Sequence, residues 1–93
     1  MNIAAVTYEY DPAQNDLLVE TRPVHREFLK GLLAEDQLLA SGPTADGRAL
    51  LIVRAESPEA ALALLEADPL NGVGVIAERK AFMWNPVLGP WAE

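Results

Sequence analysis

Apolar and polar positions change period several times along the chain, and each change marks an element. Ile3 to Tyr10 is rich in β-branched and aromatic residues and closes on Asp11-Pro12, which predicts a strand. Asp11 to Glu20 is expected to be a surface loop. Pro23 suits a first helical position, after Thr21 or Arg22 as cap. From there His25, Phe28, Leu29, Leu32 and Leu33 recur at the spacing of one helix face. That helix should fade into a solvated end at Glu35-Asp36. Leu38 to Ser41 predicts a short strand stopped by Gly42-Pro43, and Ala49 to Val53 a second strand beyond the Asp46-Gly47 turn. Ser57-Pro58-Glu59 is a cap, a proline at the first helical position and an acid in the first turn. The helix so opened should end at Asp68-Pro69, because the residue before proline is pushed out of the helical region. Gly74 to Phe82 predicts the last strand, and the tail from Met83 to Glu93 should be extended.

The order β-α-β-β-α-β is the ferredoxin-like pattern. The fold class expected is therefore α+β: one antiparallel four-stranded sheet with two helices on one face. A sheet covered on one side should alternate apolar and polar residues. Ile3-Ala4-Ala5-Val6 and Ala49-Leu50-Leu51-Ile52-Val53 are instead apolar on both faces. The helices cover one face only, so a second copy of the sheet is the simplest cover for the other, and a homodimer is expected. The alternative is that small alanines make the open face tolerable and the C-terminal tail lies across it.

Composition narrows the function classes. The 93 residues, 51% hydrophobic and 23% charged, fit one globular domain over 1–93. A net charge of −7 argues against nucleic-acid and anionic-membrane partners, which need a basic field. The absence of cysteine excludes disulfides, thiolate metal sites and a cysteine nucleophile. A single histidine cannot build a multi-histidine site, so no metal and no cofactor is expected. No segment reads as a leader or a membrane anchor, and a cytoplasmic location is the default.

The predicted topology brings polar residues to one end of the sheet: Tyr8 and Tyr10 closing the first strand, Arg22 and His25 opening the first helix, Ser41, Gly42 and Pro43 closing the second strand, and Asp68 ending the second helix. His25, the sole histidine, lies on the apolar helix face. The pattern also fits an ordinary core-edge histidine. Asp68 at a helix C-terminus would oppose the macrodipole by ~0.3–1 kcal/mol. It is either a plain Asp-Pro turn or an anion held by a tertiary cation. Bonded to one imidazole nitrogen, it would fix the tautomer and leave the other nitrogen as a general acid–base. Arg22, one turn before His25, faces the same way and could bind an anionic oxygen, or could be solvated. No nucleophile-elbow sequence surrounds Ser41, which argues against covalent serine catalysis.

The ordered set Arg22-x-x-His25, Leu38-Leu39-Ala40-Ser41-Gly42-Pro43, and Asp68-Pro69 followed by Gly74-Val75 resembles the YCII-related family. The resemblance implies a dimeric α+β barrel, in which two ferredoxin-like sheets stack. It implies a histidine–aspartate pair in a pocket, here His25 and Asp68, and, from one member type, lyase chemistry on a hydroxylated ring. Leu70 stands where an aromatic residue often follows the Asp-Pro pair, and Ser41 where alanine is common. Two readings follow. One is a small cofactor-free enzyme, lyase- or isomerase-like, with His25 and Asp68 catalytic and with Arg22, Ser41, Gly42, Pro43 and Tyr8 binding a small polar or aromatic substrate. The other is a non-catalytic module that binds a small ligand in the same pocket.

Overall fold

A computed structural model describes residues 2–92. The chain runs β1 (Ile3–Tyr10), α1 (Asn15–Ala34), β2 (Leu38–Pro43), β3 (Ala49–Arg54), α2 (Pro58–Leu64), α3 (Pro69–Gly72) and β4 (Ile76–Trp84). The strands form one four-stranded sheet in the order β2-β3-β1-β4, antiparallel at every pairing. This is the ferredoxin-like α+β fold. Side chains alternate across the sheet. Ala4, Val6 and Tyr8 of β1 pair with Val53, Leu51 and Ala49 of β3 and face the helices. Leu18 and Leu29 of α1, Ala61 of α2, Leu65, and Leu70 of α3 complete that core.

The first helix corrects the expected loop. Residues 12–14 form a 3-10 turn that runs straight into α1, so the segment expected as loop is largely helical. Asp11 caps the turn, its carboxylate accepting from the Ala13 amide. Leu18, His25 and Leu29, at i, i+7 and i+11, form one buried stripe that crosses Pro23. Burial of Leu18, with half-buried Leu17 beside it, helps offset a mid-helix proline, which costs ~3 kcal/mol in a helix interior. Pro23 leaves the Val19 carbonyl without its helical donor, but both residues are exposed, where water can serve. Leu33 lies off the stripe and is exposed, contrary to its expected place on the apolar face. The helix ends on Asp36, in the left-handed region at φ 59°. The Gln37 and Asp36 amides return to the Leu32 and Leu33 carbonyls, as in a Schellman motif.

The second correction concerns Asp68. It does not terminate a helix against the dipole: α2 has ended at Leu64, and Asp68 is the N-cap of α3 with Pro69 at the first helical position. The strands also run differently at their ends. β2 extends through Gly42-Pro43, and β4 spans Ile76–Trp84 instead of starting at Gly74. A bulge in β2 sets one extra residue between Leu38 and Ala40, and so puts Ser41 and Pro43 opposite the helix-facing Leu51 and Ala49.

The outer face carries Ile3, Ala5 and Thr7 beside Ile52 and Leu50, with Phe82 and Trp84 from β4. Ile3 and Ile52 are buried, whereas Leu50, Phe82 and Trp84 are exposed. Trp91 from the tail meets Trp84 edge-on, with ring centres 6.3 Å apart. The tail therefore reaches one end of this face and leaves Leu50 and Phe82 open. Among the described residues no helix is long and apolar enough to cross a membrane.

Candidate active site

Asp68 is the centre of the inner polar cluster. The residue is 1% exposed, and burying a charge is expensive unless donors replace its water. Three donors converge on it. The Leu70 amide caps onto Oδ1 at 3.0 Å, and the Tyr8 hydroxyl donates to Oδ2 at 2.9 Å. His25 Nδ1 stands 2.8 Å from both oxygens. No buried side-chain polar atom among the described residues lacks a partner.

Each donor is delivered by a different element. β1 sends Tyr8 through the sheet face, and its ring tilts against the His25 ring at 6.4 Å. α1 brings His25 as the polar member of its buried stripe. The Asp68-Pro69 cap turns the carboxylate back into the core. Burial first, then the Asp68 charge, pushes the Tyr8 phenol far above its ordinary range, so it remains a donor. The same two causes raise Tyr10, and nearby Arg22 opposes them.

The carboxylate assigns the histidine tautomer. An acceptor on Nδ1 requires the proton there, which leaves the lone pair on Nε2. Nε2 makes no hydrogen bond within the described residues and is not buried, and His25 lines a cleft of about 390 Å³. Leu29, Ala49 and Leu51 give this cleft an apolar floor, while Tyr10, Arg22 and Arg26 stand around it. Ser41, Gly42 and Pro43 form the strand wall and are exposed; Arg48 rises from the turn between β2 and β3.

Of the residues expected to contact a ligand, Arg22, Ser41, Gly42 and Pro43 line the cleft beside His25. Tyr8 does not. It is wholly buried and its hydroxyl is spent on Asp68, so it stands behind the pair as a positioning residue. Arg26 and Arg48 were not anticipated. Arg26 had a usable signal, since it lies four residues after Arg22 and one after His25. Arg48 had none, because its place depends on the register of the β2–β3 hairpin. No group of three or more metal-ligating side chains occurs among the described residues.

Comparison with known proteins fixes the family. Residues 1–85 match the YCII-related domain, and the chain belongs to that family. No curated protein matched. Among solved structures, the chain is similar to 5-chloro-2-hydroxyhydroquinone dehydrochlorinase from Burkholderia phenoliruptrix AC1100 in complex with 2,5-dihydroxybenzoquinone. The identity there is 22%, covering 89% of this chain and 93% of that one, with a TM-score of 0.75. A Nitrosomonas europaea protein proposed to be an antibiotic biosynthesis monooxygenase aligns at 18% identity, covering 95% of this chain and all of its own, with a TM-score of 0.59. An uncharacterized NIPSNAP domain protein from Burkholderia xenovorans aligns at 13%, covering 97% and 99%, with a TM-score of 0.58. At these identities the likeness is one of fold.

Proposed function

We propose that this protein is a small enzyme that moves a proton on a hydroxylated ring or similar small polar substrate, in the manner of a lyase or isomerase. The observation that carries this reading is that Nε2 of His25 has no protein partner among the described residues, on a residue that lines a cleft, while Nδ1 is held by a buried carboxylate. Nε2 takes the proton as general base and returns it as general acid. Asp68 holds the tautomer and offsets the charge that develops on the ring. Arg22 at the cleft wall stabilises the oxyanion formed as the proton leaves. The dehydrochlorinase of similar fold acts on a hydroxyhydroquinone, which is the kind of substrate this arrangement suits. The functional unit is a homodimer joined through the outer sheet face, where Leu50 and Phe82 are exposed on either side of β1 and Ile52 is buried.

The test follows deuterium entry into the ring positions of 2,5-dihydroxybenzoquinone in deuterated buffer. The native protein should accelerate exchange, and His25→Gln should abolish the acceleration. Asp68→Asn should lower it by about 10²–10⁴-fold, because the amide can donate to Nδ1 and move the histidine proton to Nε2. Exchange no faster than with His25→Gln would overturn the reading and favour a binding module, to which the exposed strand wall at Ser41–Pro43 is also suited. Sedimentation tests the dimer: a monomer at micromolar concentration would remove it, since an interface of ~1,200–2,000 Å² should hold at that level.

A further inference from the structure

The chain carries 14 acidic and seven basic side chains, so most cations should find a carboxylate. Five of the seven do: Lys30, Arg48, Arg54, Arg79 and Lys80 each pair with an acid. Arg22 and Arg26 have no ion-pair partner among the described residues, and both line the cleft beside His25. They are one turn apart on α1, at a spacing where like charges repel. No acidic side chain lines the same cleft. The third arginine there, Arg48, is already held by Asp46 at 3.0 Å and contributes less free charge. Among the described residues, this acidic protein thus leaves Arg22 and Arg26 without a carboxylate partner, one turn apart at one apolar-floored cavity.

We infer that the cleft binds a ring-sized organic anion, its carboxylate or phenolate oxygen bridging Arg22 and Arg26 and its apolar body resting on Leu29, Ala49 and Leu51. This inference rests on the reading of the cleft as the substrate site, and it names the substrate class. Two guanidiniums one helical turn apart can each donate to one oxygen of an anion with two acceptor oxygens. The anion relieves their mutual repulsion, and the ring is thereby held with one edge toward His25 Nε2. A neutral ring of equal shape would gain the floor contacts only. The volume of about 390 Å³ falls at the lower end of ligand cavities and suits one ring with its substituents.

The probes are benzoate and its neutral, near-isosteric partner benzamide, titrated into the full-length protein by NMR, with the arginine Nε signals followed. Benzoate should bind at least about ten-fold more tightly than benzamide and should shift the Arg22 and Arg26 signals. Arg26→Gln, a replacement that suits an exposed helix position, should weaken benzoate by about three- to ten-fold and leave benzamide unchanged. Arg26→Lys should recover only part of what Arg26→Gln loses, because it keeps the charge but not the guanidinium fork. Equal binding of the two probes, no saturable binding of benzoate, or indifference to Arg26→Gln would each overturn the inference. Its failure is separable from that of the acid–base reading. Benzoate selectivity without deuterium exchange would leave the anion site standing and remove the catalytic role of His25. Exchange without benzoate selectivity would do the reverse.

Discussion

Two capping sites flank the second helix and are built from the same local signal. Ser57-Pro58 opens α2, with the Ser57 hydroxyl accepting from the Ala60 amide at 3.0 Å. Asp68-Pro69 opens α3, with the Asp68 carboxylate accepting from the Leu70 amide, also at 3.0 Å. The first cap does one thing at the edge of the molecule. The second lies in the core, and its carboxylate has acceptor positions left over after capping. Tyr8 and His25 occupy them. The difference is valence and burial: a hydroxyl at position 68 could cap α3 but could not also hold an imidazole and a phenol. Capping fixes the carboxylate at no expense to the site, since the backbone amide locks the rotamer that His25 needs.

The strongest break in the comparison is Asp68→Ala. It leaves the Tyr8 hydroxyl and the Leu70 amide buried without acceptors and removes the partner of His25. The expected loss is ~3–5 kcal/mol, seen as a fall in the urea midpoint. Asp68→Ser refines it by turning the second cap into a copy of the first. It should recover about 1 kcal/mol of the loss through the Leu70 amide and nothing of the histidine tautomer, read from the ring nitrogen shifts. Full recovery of the tautomer by serine would show that His25 does not depend on the carboxylate.

Tyr8→Phe comes next. It removes one donor to Asp68 and should cost ~1–2 kcal/mol near neutral pH. Its pH dependence has a defined sign. The folded phenol is pushed above its unfolded value of about 10, so above that pH the unfolded chain binds fewer protons than the folded one. Stability is fully present below about pH 10 and falls as pH rises past it, by up to ~1.4 kcal/mol per pH unit for this group. Tyr8→Phe should flatten that alkaline loss, leaving the smaller share from Tyr10, which is raised in the same direction. An unaltered alkaline slope would mean that the Tyr8 hydroxyl is not buried against Asp68.

The two caps also show what was legible in the sequence. Ser57-Pro58-Glu59 stood before a long helical pattern and could be read as a start. Asp68-Pro69 precedes a helix of only four residues, too short to show a period, so the same signal looked like a stop. Asp11-Pro12 does stop β1 at Tyr10, but it also opens the 3-10 turn that leads into α1, so α1 starts eight residues before Pro23. Its continuity across Pro23 goes with a buried stripe of Leu18, His25 and Leu29 that spans the proline, which no local propensity reports. The fold order survived these errors because strand composition and the Asp46-Gly47 turn set it. The convergence of His25 with Asp68 survived for a different reason. Chain topology carries both residues to one end of the sheet, whatever caps them. Arg26 and Arg48 depended on helix phase and hairpin register, and those are the details that pattern leaves open.

The smallest expected effect is that of Ser57→Ala, and it sharpens the comparison most directly. The hydroxyl accepts one hydrogen bond from an amide near solvent, and water replaces it when the side chain is shortened. The loss should be about 1 kcal/mol, within the range for exposed caps. Pro58 and Glu59 remain to favour the helix start. Neither the His25 tautomer nor benzoate binding should change, because Ser57 touches nothing in the cleft. A thermal melt gives the first quantity and the histidine ring nitrogen shifts the second. If Ser57→Ala were as damaging as Asp68→Ala, capping alone would account for both sites, and the extra acceptors of Asp68 would carry no energy. A small loss at Ser57 beside a large one at Asp68, with serine at 68 falling between, would instead assign the excess to Tyr8 and His25.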